Sequence, residues 1–565
     1  MIIGIDLGTS TTEAAVYRGG KTEMIPNFDE KIVTPSAIGL DESGNFVIGE
    51  KAKAQYRMAP ERTAIEIKRK LGTGEKISLG AQTYTPVELS AMLLSYVKRY
   101  ATQYLGEEIT RAVISVPAYF DDIKRQDVIK AGEQAGLKVE RILNEPTAAA
   151  LSYGIDHMEE ESYILVYDFG GGTFDVTLLE MFDGVLEVKA SSGNNALGGK
   201  DFDERLIHWL RSRFEEKYEV SLAGDAYALA RLKEQAEQCK IQLSSLEEAE
   251  VNIPLLSEKD GVPLGLSETV TRRQFEELIE DLVEQTHSPI EMALSDGGVS
   301  REELKMVLLV GGSTRIPLIS RDILSFVGVE PKSEVDPDYS VAEGAALQAA
   351  ILAGEIDSED GLVVTDVNPY TLGVRVQDGW DFDRMSVIIP RNVTIPVCRH
   401  EFYTTSADGQ SEAEIEIYQG ESRTVSRNHF LGAFTISGIP NAPAGREKID
   451  VSLSYDLNGM LQVSAVIVST GEEASVQIDL LEKGTGKRID VSRWKDALCA
   501  REYRAVIRRS EKYLKTAAPG PDDEEEKERL GELEELLYLL KKAILEEDEE
   551  EADDLEAEIR DLLEA

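Results

Sequence analysis

The chain of 565 residues is too long for a single hydrophobic core, so we expect three or four domains. Its formal net charge of −45 argues against binding to nucleic acids or anionic membranes, because phosphate groups are contacted by clustered Lys and Arg. Cys239, Cys398 and Cys499 lie far apart and the five histidines are scattered, which predicts reduced thiols and neither a disulfide framework nor a zinc site.

The first 360 residues alternate apolar strands with helical patterns, which is typical of α/β layers. The chain begins with a strand, a tight glycine turn and a second strand over residues 2–11, and residues 165–175 repeat this pattern. Further strands are predicted over residues 112–117 and 306–312, and helices over residues 86–104, 121–136, 202–218 and 226–243.

After residue 370 the apolar period changes to two. Apolar and polar residues alternate over 449–455 and 461–467 on both sides of Asn458-Gly459, a strong hairpin signal, and the alternation recurs over 413–417. We therefore expect an antiparallel β domain with one solvated face. The C-terminal tail, with apolar residues at helical spacing, is predicted to form a small acidic helical hairpin or bundle; these residues are Leu530, Leu533, Leu537, Leu540, Ile544, Leu555, Ile559 and Leu562.

The two strand–turn–strand segments share a design suited to binding phosphate. In each, an apolar strand ends in an aspartate, Asp6 or Asp168, and the following glycines and threonines can approach phosphate oxygens closely. A carboxylate repels phosphate, so two such aspartates indicate a divalent cation between them, and Mg2+ is the natural choice. One such segment alone is usually a plain hairpin, but two copies predict two homologous lobes that close on one nucleotide.

Motifs along most of the chain resemble the DnaK-type, seventy-kilodalton heat-shock chaperone family. They lie, in order, at residues 5–9, 116–120, 144–150, 168–175, 310–317, 366–374, 392–396, 418–421 and 458–465. The resemblance extends from residue 1 to about residue 480, and the short C-terminus resembles the HscC-type branch of the family.

This resemblance implies an α/β actin-like ATPase domain (ribonuclease-H-like, duplicated), an antiparallel β-sandwich and a short C-terminal helical region. The nucleotide-binding domain would span residues 1–360, the interdomain linker 361–367, the peptide-binding sandwich 368–482 and the acidic helical lid 483–565. A sugar or small-metabolite kinase and an actin-like filament protein are alternatives on the same two-lobed fold. Both are disfavoured, because the part after residue 370 does not resemble a substrate domain for phosphoryl transfer and a filament has no use for a linker and sandwich.

The resemblance also implies roles at the nucleotide. Lys68 would stabilise charge on the γ-phosphate, Glu145 or Asp175 would orient or activate the attacking water, and Thr173 would contact phosphate. Asp6 and Asp168 would bind Mg2+ through water. The nucleotide would be held by Gly8, Thr9, Ser10, Thr11, Gly171, Gly172, Thr173, Glu237, Lys240, Ser244, Gly311, Gly312, Ser313, Arg315 and Asp338. Ile241 stands where some relatives have an arginine, so adenine stacking is expected on one side only.

Two further groups of residues match the family's pattern. Pro117, Arg125 and Asp366 resemble residues that relay the nucleotide state to the linker. The peptide groove would contain Val374, Tyr403, Ser406, Ala413 and Ile415. Here the chain departs from the family, because Ser406 replaces a small apolar residue and the loop at 377–382 is longer, so weaker generic capture of apolar peptides is expected.

The expected function is that of an ATP-dependent chaperone of the heat-shock response, which binds and releases extended polypeptide under the control of ATP hydrolysis. ATP or ADP and Mg2+ are the expected cofactors. The expected partners are unfolded polypeptides, a J-domain co-chaperone and a nucleotide exchange factor, but neither nucleic acid nor a membrane. Because no apolar stretch approaches a membrane span and the N-terminus enters a strand directly, a cytoplasmic location is expected.

Overall fold

The computed structural model describes residues 1–154, 162–182, 185–259, 262–332, 336–337, 339–356, 363–378, 381–477 and 500–516, and individual residues between 529 and 562. The chain forms two compact units. One contains residues 1–220 and 226–482, and the other contains residues 221–225 and 483–565. The predicted β domain therefore shares a compact unit with the α/β part.

The α/β part is built on two sheets that share one strand order. The first sheet has the order Lys138–Asn144, Arg111–Val116, Ile3–Leu7, Thr11–Arg18 and Lys21–Met24, with Thr34–Pro35 also pairing to Thr11–Arg18. The second has the order Pro331–Lys332, Leu304–Val310, Ser162–Phe169, Phe174–Phe182, Val185–Asn194 and Val363–Val364. In both, a central antiparallel hairpin is followed on one side by two parallel strands. These hairpins are the two predicted strand–turn–strand segments, which are thereby confirmed.

We call residues 1–154 the first lobe, and residues 162–220 and 226–332 the second lobe. Helices Pro86–Leu105 and Asp122–Gln134 pack on the first sheet in one apolar cluster. The side chains of Thr85 and Glu88 form a capping box at the start of the longer helix, and Gly106 ends it in the left-handed conformation. The other helices of the two lobes are Glu50–Tyr56, Gly199–Tyr218, Ala226–Leu243, Arg272–Glu284, His287–Gly297 and Pro317–Val327.

Shorter elements complete the lobes. Additional strands are Ile38–Leu40, Phe46–Ile48, Thr63–Ala64, Ile77–Leu79, Gln82–Tyr84, Glu248–Lys259 and Val262–Thr271. Short 3-10 helices are Pro60–Arg62, Ile67–Lys70, Arg301–Glu303 and Gly312–Arg315. The predicted helices at 86–104, 121–136, 202–218 and 226–243 are all present, with ends that move by a few residues at most.

Two helices rich in small residues cross between the lobes. Glu145–Gly154 leaves the first sheet and packs on strands of the second, whereas Ser340–Ala353 follows the second sheet and packs on strands of the first. Gly344 allows them to meet, since a Cβ there would lie 1.8 Å from the carbonyl oxygen of Ala148. The close contact of the lobes therefore depends on residues with little or no side chain.

The β part has two four-stranded antiparallel sheets that enclose one apolar core. One sheet has the order Asp381–Ile389, Leu372–Asp378, Glu412–Gln419 and His429–Ser437, and the other has the order Val397–Thr404, Lys448–Tyr455, Leu461–Ile467 and Glu473–Gln477. A short ladder joins Asp366–Val367 to Thr394–Ile395, and a 3-10 turn spans Val425–Arg427. The predicted alternation is confirmed, because Ile449, Val451 and Leu453 point into this core.

A buried carboxylate connects the sandwich to the first lobe. The carboxylate of Asp122, at the start of its helix, accepts hydrogen bonds from the Tyr455 hydroxyl at 2.9 Å and the Gln419 amide at 3.2 Å. Burial raises the pKa of Asp122 to about 7, although the Tyr455 hydroxyl and Arg125 act in the opposite direction. The sandwich also contacts the first lobe through the Tyr370 hydroxyl, which donates to the Tyr119 carbonyl (3.0 Å), and through Asn458 Oδ1, which accepts the Ile142 N–H (3.1 Å). It contacts the second lobe through Arg391 to Asp296 (2.8 Å) and through Asn392 Oδ1, which accepts the Ser191 N–H (3.0 Å).

The second unit contains the helix Ala500–Thr516. Its residues Tyr503, Val506 and Ile507 share an apolar cluster with residues from the tail, and the tail residues buried there are Leu533, Leu537, Leu540, Ile544, Leu555 and Ile559. All six are helical, so the predicted helical character of the tail is confirmed at these positions.

The described part of the chain also shows the state of two cysteines and the character of its helices. Cys239 is buried and Cys398 is exposed, both as free thiols, while Cys499 lies outside the described residues. Of the helices that the structure describes, none combines the length and the apolar character required to cross a membrane.

Candidate functional site

The turns of the two central hairpins face each other across a cavity of about 390 Å³. Most of the residues predicted to bind nucleotide or cation line it: Asp6, Gly8, Thr9, Ser10, Thr11, Lys68, Glu145, Asp168, Gly171, Thr173, Glu237, Lys240, Ser244, Gly311, Gly312, Ser313 and Arg315. They come from both lobes, so residues that are far apart in sequence converge on one space.

Glycines allow the two turns to approach closely. A Cβ on Gly171 would lie 2.3 Å from Ser10 Oγ, and a Cβ on Gly172 would lie 2.8 Å from Thr9 Oγ1. Gly172 is therefore at the contact between the turns and does not line the cavity. Asp175 also lies behind the cavity wall, where its carboxylate accepts the Tyr119 N–H at 2.9 Å. Asp338 lies outside the described residues.

Negative charge accumulates at the base of the cavity. Burial, together with the charge of Glu145, raises the pKa of Asp6 to about 6 and that of Asp175 to about 7. The pKa of Asp168 is raised well above its usual value by burial and by the same neighbouring carboxylates. Lys68 partly offsets this charge, and Ser115 donates a hydrogen bond to Asp6 at 2.7 Å. The base of the cavity therefore has more buried carboxylates than cationic side chains.

Lys68 is 5% exposed and lies on the 3-10 helix Ile67–Lys70. Its ammonium group forms an ion pair with Glu145, the first residue of a helix. The two residues predicted to act on the γ-phosphate and on the attacking water thus lie side by side at the base of the cavity.

The opposite wall comes from the helix Ala226–Leu243 and the turn after Leu304–Val310. Lys200 and Lys53 outweigh the effect of burial on Glu237 and lower its pKa to about 2. Lys240 lies 2.8 Å from the carboxylate of Asp203, and burial lowers the pKa of this lysine. Glu237 and Lys240 lie three positions apart on one face of this helix and line the cavity, and each is paired with an oppositely charged side chain.

The Gly311–Arg315 turn depends on a left-handed glycine. Gly311 has a φ of 81°, and a Cβ there would lie 2.5 Å from the Phe169 carbonyl oxygen. Ser313 donates a hydrogen bond to the Gly170 carbonyl at 2.8 Å, which joins this turn to the second hairpin turn. Arg315 contacts Asp336 at 3.0 Å.

Some residues of the site were not among the predicted ones. The additional lining residues are Glu13, Gly170, Val310, Ile316, Pro337 and Val341, whereas Ile241, expected beside the adenine, also lines the cavity. Glu13 could have been found, because it pairs directly with Asp6 across the predicted hairpin. Asp203 and Lys200, which pair with Lys240 and Glu237, could not be predicted from the sequence. Charged residues at the start of a helix usually lie on a solvated surface.

The predicted relay residues also meet. Arg125 donates a hydrogen bond to Asn144 Oδ1 at 2.7 Å, and Asn144 donates one to Asp366 Oδ1 at 2.7 Å. Asp366 is buried, and burial raises its pKa. Pro117 accepts a hydrogen bond from the Phe120 N–H at 3.2 Å at the turn where Arg125 is anchored. Asn144, which links Arg125 to Asp366, was not among the predicted relay residues.

Four of the five predicted groove residues pack in or against the sandwich core. Val374 and Ile415 are buried, Ala413 and Tyr403 pack against them, and the Tyr403 hydroxyl donates a hydrogen bond to Ser386 Oγ at 3.0 Å. Ser406 is exposed instead, and its N–H is bound to Gln410 Oε1 at 2.9 Å. In the longer loop at 377–382, Gly379 and Trp380 lie outside the described residues.

Comparison with known proteins shows similarity along the whole chain. A family model described as Hsp70 protein matches residues 2–78 and 74–565. The chaperone protein DnaK of Thermotoga neapolitana is 47% identical over 480 residues, which cover 84% of this chain and 80% of that protein. The chaperone protein DnaK of Thermotoga petrophila is 42% identical over 565 residues, which cover 100% of this chain and 91% of that protein. The chaperone protein DnaK of Thermosipho africanus is 45% identical over 479 residues, which cover 84% of this chain and 79% of that protein.

Proposed function

This chain belongs to the Hsp70 family and is an ATP-dependent chaperone with ATPase activity, and from this premise we propose that it binds ATP between the two lobes and extended polypeptide in the sandwich. The observation that best supports the nucleotide site is the convergence of both hairpin turns on one cavity with buried carboxylates. The nucleotide-binding domain would span residues 1–360, with the actin-like, duplicated ribonuclease-H-like fold, and the linker 361–367. The sandwich would span residues 368–482 and the helical lid 483–565.

The nucleotide would lie with its phosphates between the two turns. Thr9, Ser10 and Thr11 from one lobe and Gly171 and Thr173 from the other would contact the phosphates through hydroxyls and backbone N–H groups. The adenosine would then lie toward the opposite wall, which contributes Glu237, Lys240, Ser244, Gly311, Gly312, Ser313 and Arg315.

Mg2+ fits the carboxylates of this cavity. The base of the site has more carboxylates than cations, and burial together with mutual repulsion raises the pKa of Asp6, Asp168 and Asp175. A divalent cation would relieve that repulsion, held by Asp6 and Asp168 through water. Once bound, it would supply positive charge to the phosphate oxygens.

Lys68 and the two remaining acids would carry the chemistry. Lys68 would offset the charge that develops on the phosphate oxygens as the γ-phosphoryl group passes to water. Glu145 would orient that water, because it already lies beside Lys68. Asp175 is the alternative acid, but its carboxylate lies behind the cavity wall and accepts the Tyr119 N–H, so Glu145 is the favoured one.

Coupling between nucleotide and peptide would use the sandwich contacts. Arg125, Asn144 and Asp366 form a continuous hydrogen-bonded path from the first lobe to the short strand at the end of the linker. A peptide can accelerate hydrolysis only through a difference in its affinity for the two nucleotide states. Breaking this path or the contact at Asp122 would therefore remove the stimulation of hydrolysis by peptide, without a large change in the basal rate.

We further propose a J-domain co-chaperone and a nucleotide exchange factor as partners, and a cytoplasmic location. Steady-state ATPase with and without a panel of unfolded peptides tests the function, together with peptide anisotropy in ATP, in ADP and without nucleotide. We expect peptides to raise the ATPase rate and to bind more tightly in ADP than in ATP. Peptide-independent hydrolysis, with peptide affinity equal in all three states, would contradict the proposal.

A further inference from the structure

The segment that carries Lys68 reaches across the cleft to the second lobe on both sides of this residue. Lys68 itself lies on the 3-10 helix Ile67–Lys70, and Ile67 is buried in the core of the first lobe. The residues immediately before the helix and after Lys68 contact groups of the second lobe. The position of Lys68 is thus determined by both lobes.

Glu66 makes the first of these contacts. Its carboxylate lies 2.8 Å from the ammonium group of Lys233, on the helix Ala226–Leu243, and both side chains are about four-fifths buried, with exposures of 18% and 21%. Lys233 and Lys200 overcome the effect of burial and lower the pKa of Glu66, so the carboxylate is ionised when the lobes are together. This pair connects the two lobes next to the catalytic segment.

The backbone conformation of Glu66 is unusual and indicates that the ion pair with Lys233 has a role. Glu66 has φ 57° and ψ 30°, the left-handed conformation that residues with a side chain seldom adopt. A glycine would adopt it without strain. The ion pair to Lys233 is an interaction that can hold a glutamate in this conformation while the cleft is closed.

Arg69 makes the second contact. Its guanidinium donates hydrogen bonds to the carboxylate of Asp201 at 2.8 Å and to the carbonyl oxygen of Gly172 at 3.1 Å. Gly172 belongs to the phosphate-binding turn of the second lobe, and a Cβ there would lie 2.9 Å from Arg69 Nε. Arg69 therefore joins the Lys68 segment directly to that turn.

We propose that Glu66 and Arg69 are positioning residues that place Lys68 for hydrolysis only when the two lobes are closed. Both side chains extend to the second lobe, while Lys68 between them pairs with Glu145 of the first lobe. Separation of the lobes removes both anchors and allows the strained backbone at Glu66 to relax, which moves Lys68. Hydrolysis is thereby restricted to the closed cleft. This inference rests on the proposed role of Lys68.

The positioning role is tested in Glu66→Ala, Lys233→Ala and the double variant. For each variant, two rates are measured: single-turnover hydrolysis at saturating ATP, and dissociation of labelled ADP. We expect each single variant to lower the hydrolysis rate about tenfold, because a small displacement of a catalytic group has effects of this size or larger. ADP should dissociate severalfold faster. The double variant should lose no more than either single variant, because both remove the same interaction.

Arg57→Ala is the matched control. Arg57 pairs with Glu234 at 3.6 Å across the same cleft and on the same helix as Lys233, but it is not attached to the Lys68 segment. We expect its hydrolysis rate to stay within about threefold of wild type. Glu66→Gly, which keeps the left-handed backbone without strain, should lose less activity than Glu66→Ala. Thermal unfolding of each variant verifies that it is folded.

Three results would overturn the inference: wild-type hydrolysis in Glu66→Ala and Lys233→Ala, additive losses in the double variant, or an equal loss in Arg57→Ala. Lys68→Ala separates this inference from the function on which it rests. If Lys68→Ala loses hydrolysis while Glu66→Ala does not, only the positioning role fails. A wild-type rate in Lys68→Ala would remove the proposed catalytic site and the positioning role with it.

Discussion

At the scale of single residues, Lys68 lies at the centre of the charge balance in the cleft. Asp6, Glu145, Asp168 and Asp175 surround this one lysine, and three of the four have a raised pKa. In a site shielded from water, one charge has a larger effect on a reaction than it has at an exposed surface. Its loss should therefore affect the transition state more than the binding of ATP.

We predict that Lys68→Ala lowers single-turnover hydrolysis by about a hundredfold or more, the effect expected for loss of one electrostatic stabiliser. ATP affinity should stay within about tenfold of wild type, because Lys68 is one of many groups that line the cavity. Rapid-quench measurements with radiolabelled ATP and a binding titration check both values.

Lys70→Ala is the control for this variant. Lys70 lies on the same short helix, but it is 45% exposed and pairs with Glu75 at the surface. We expect it to hydrolyse ATP at the wild-type rate. Undiminished hydrolysis in Lys68→Ala would show that this lysine has no part in the reaction.

Residues that belong to a motif were predictable, and those that act through a distant partner were not. Thr9, Gly171 and Gly311 could be assigned to the nucleotide site, because turns rich in glycine are typical of anion-binding sites. Arg69 and Lys233 could not, because each pairs with a residue more than a hundred positions away and a lone charged residue usually lies in solvent. Pairing across a cleft is a property of the closed fold.

At the scale of elements, the strand pair Asp366–Val367 and Thr394–Ile395 connects the linker to the sandwich. Asp366 is buried at this point and accepts the hydrogen bond from Asn144. A carboxylate that loses solvent requires such donors to remain ionised. The hydrogen-bonded path from Arg125 therefore depends on the side chain of Asp366.

We predict that Asp366→Asn abolishes the stimulation of ATPase by peptide and leaves the basal rate within about twofold, because the amide NH2 of Asn144 then faces a neutral group and the charge-assisted bond is lost. Steady-state ATPase with and without a saturating peptide measures this. Glu414→Gln, at an exposed position on the strand Glu412–Gln419, should retain full stimulation. Normal stimulation in Asp366→Asn would remove this path from the coupling.

Element types and their approximate ends followed from local patterns, but their partners did not. The period-two alternation correctly placed Ile449, Val451 and Leu453 in the sandwich core. Tyr455 continues the same alternation, yet its hydroxyl crosses to Asp122 in the first lobe. Periodicity predicts which face of a strand is buried, whereas it contains no information on what covers that face.

At the scale of the whole molecule, contact between the sandwich and the first lobe buries one carboxyl group whose pKa is about 7. When the two parts separate, Asp122 returns toward its ordinary pKa of 3.8. Between these values the contacting state binds more protons than the separated state. Contact is therefore favoured at low pH, weakens as the pH rises toward 7 and changes little above it.

We predict that the fraction of molecules in contact falls between pH 5.5 and pH 7, by at most about tenfold in the equilibrium per pH unit for one proton. Fluorescence energy transfer between labels on the first lobe and on the sandwich measures this fraction. Asp122→Asn should remove the pH dependence. Tyr455→Phe retains the carboxyl and should retain the dependence, so a flat profile in Tyr455→Phe with an unchanged slope in Asp122→Asn would contradict this assignment.

The net charge of −45 is a property of the whole chain, and we expect it to influence which peptides bind. Attraction of basic peptide flanks extends over about one Debye length, ~8 Å at physiological salt. We predict that this protein prefers short apolar segments flanked by Lys or Arg, and that their affinity falls as salt rises. Fluorescence anisotropy at two salt concentrations checks this, with acidic-flanked peptides of the same apolar core as controls. Equal affinities that do not respond to salt would show that the charge has no part in client choice.

The crossed helices Glu145–Gly154 and Ser340–Ala353 have a mechanical consequence. Each lobe sends one helix onto the sheet of the other, so the lobes cannot slide apart without exposing this apolar contact. Because the helices touch most closely where Gly344 meets Ala148, we expect a rotation about this point to preserve more of the apolar contact than a translation would. We therefore expect the two crossed helices to act as a hinge, so that a small rotation between them would widen the cavity between the lobes. A Gly344→Ala substitution would place a methyl group against the Ala148 carbonyl oxygen, and we expect it to disturb this helix contact and the hinge motion.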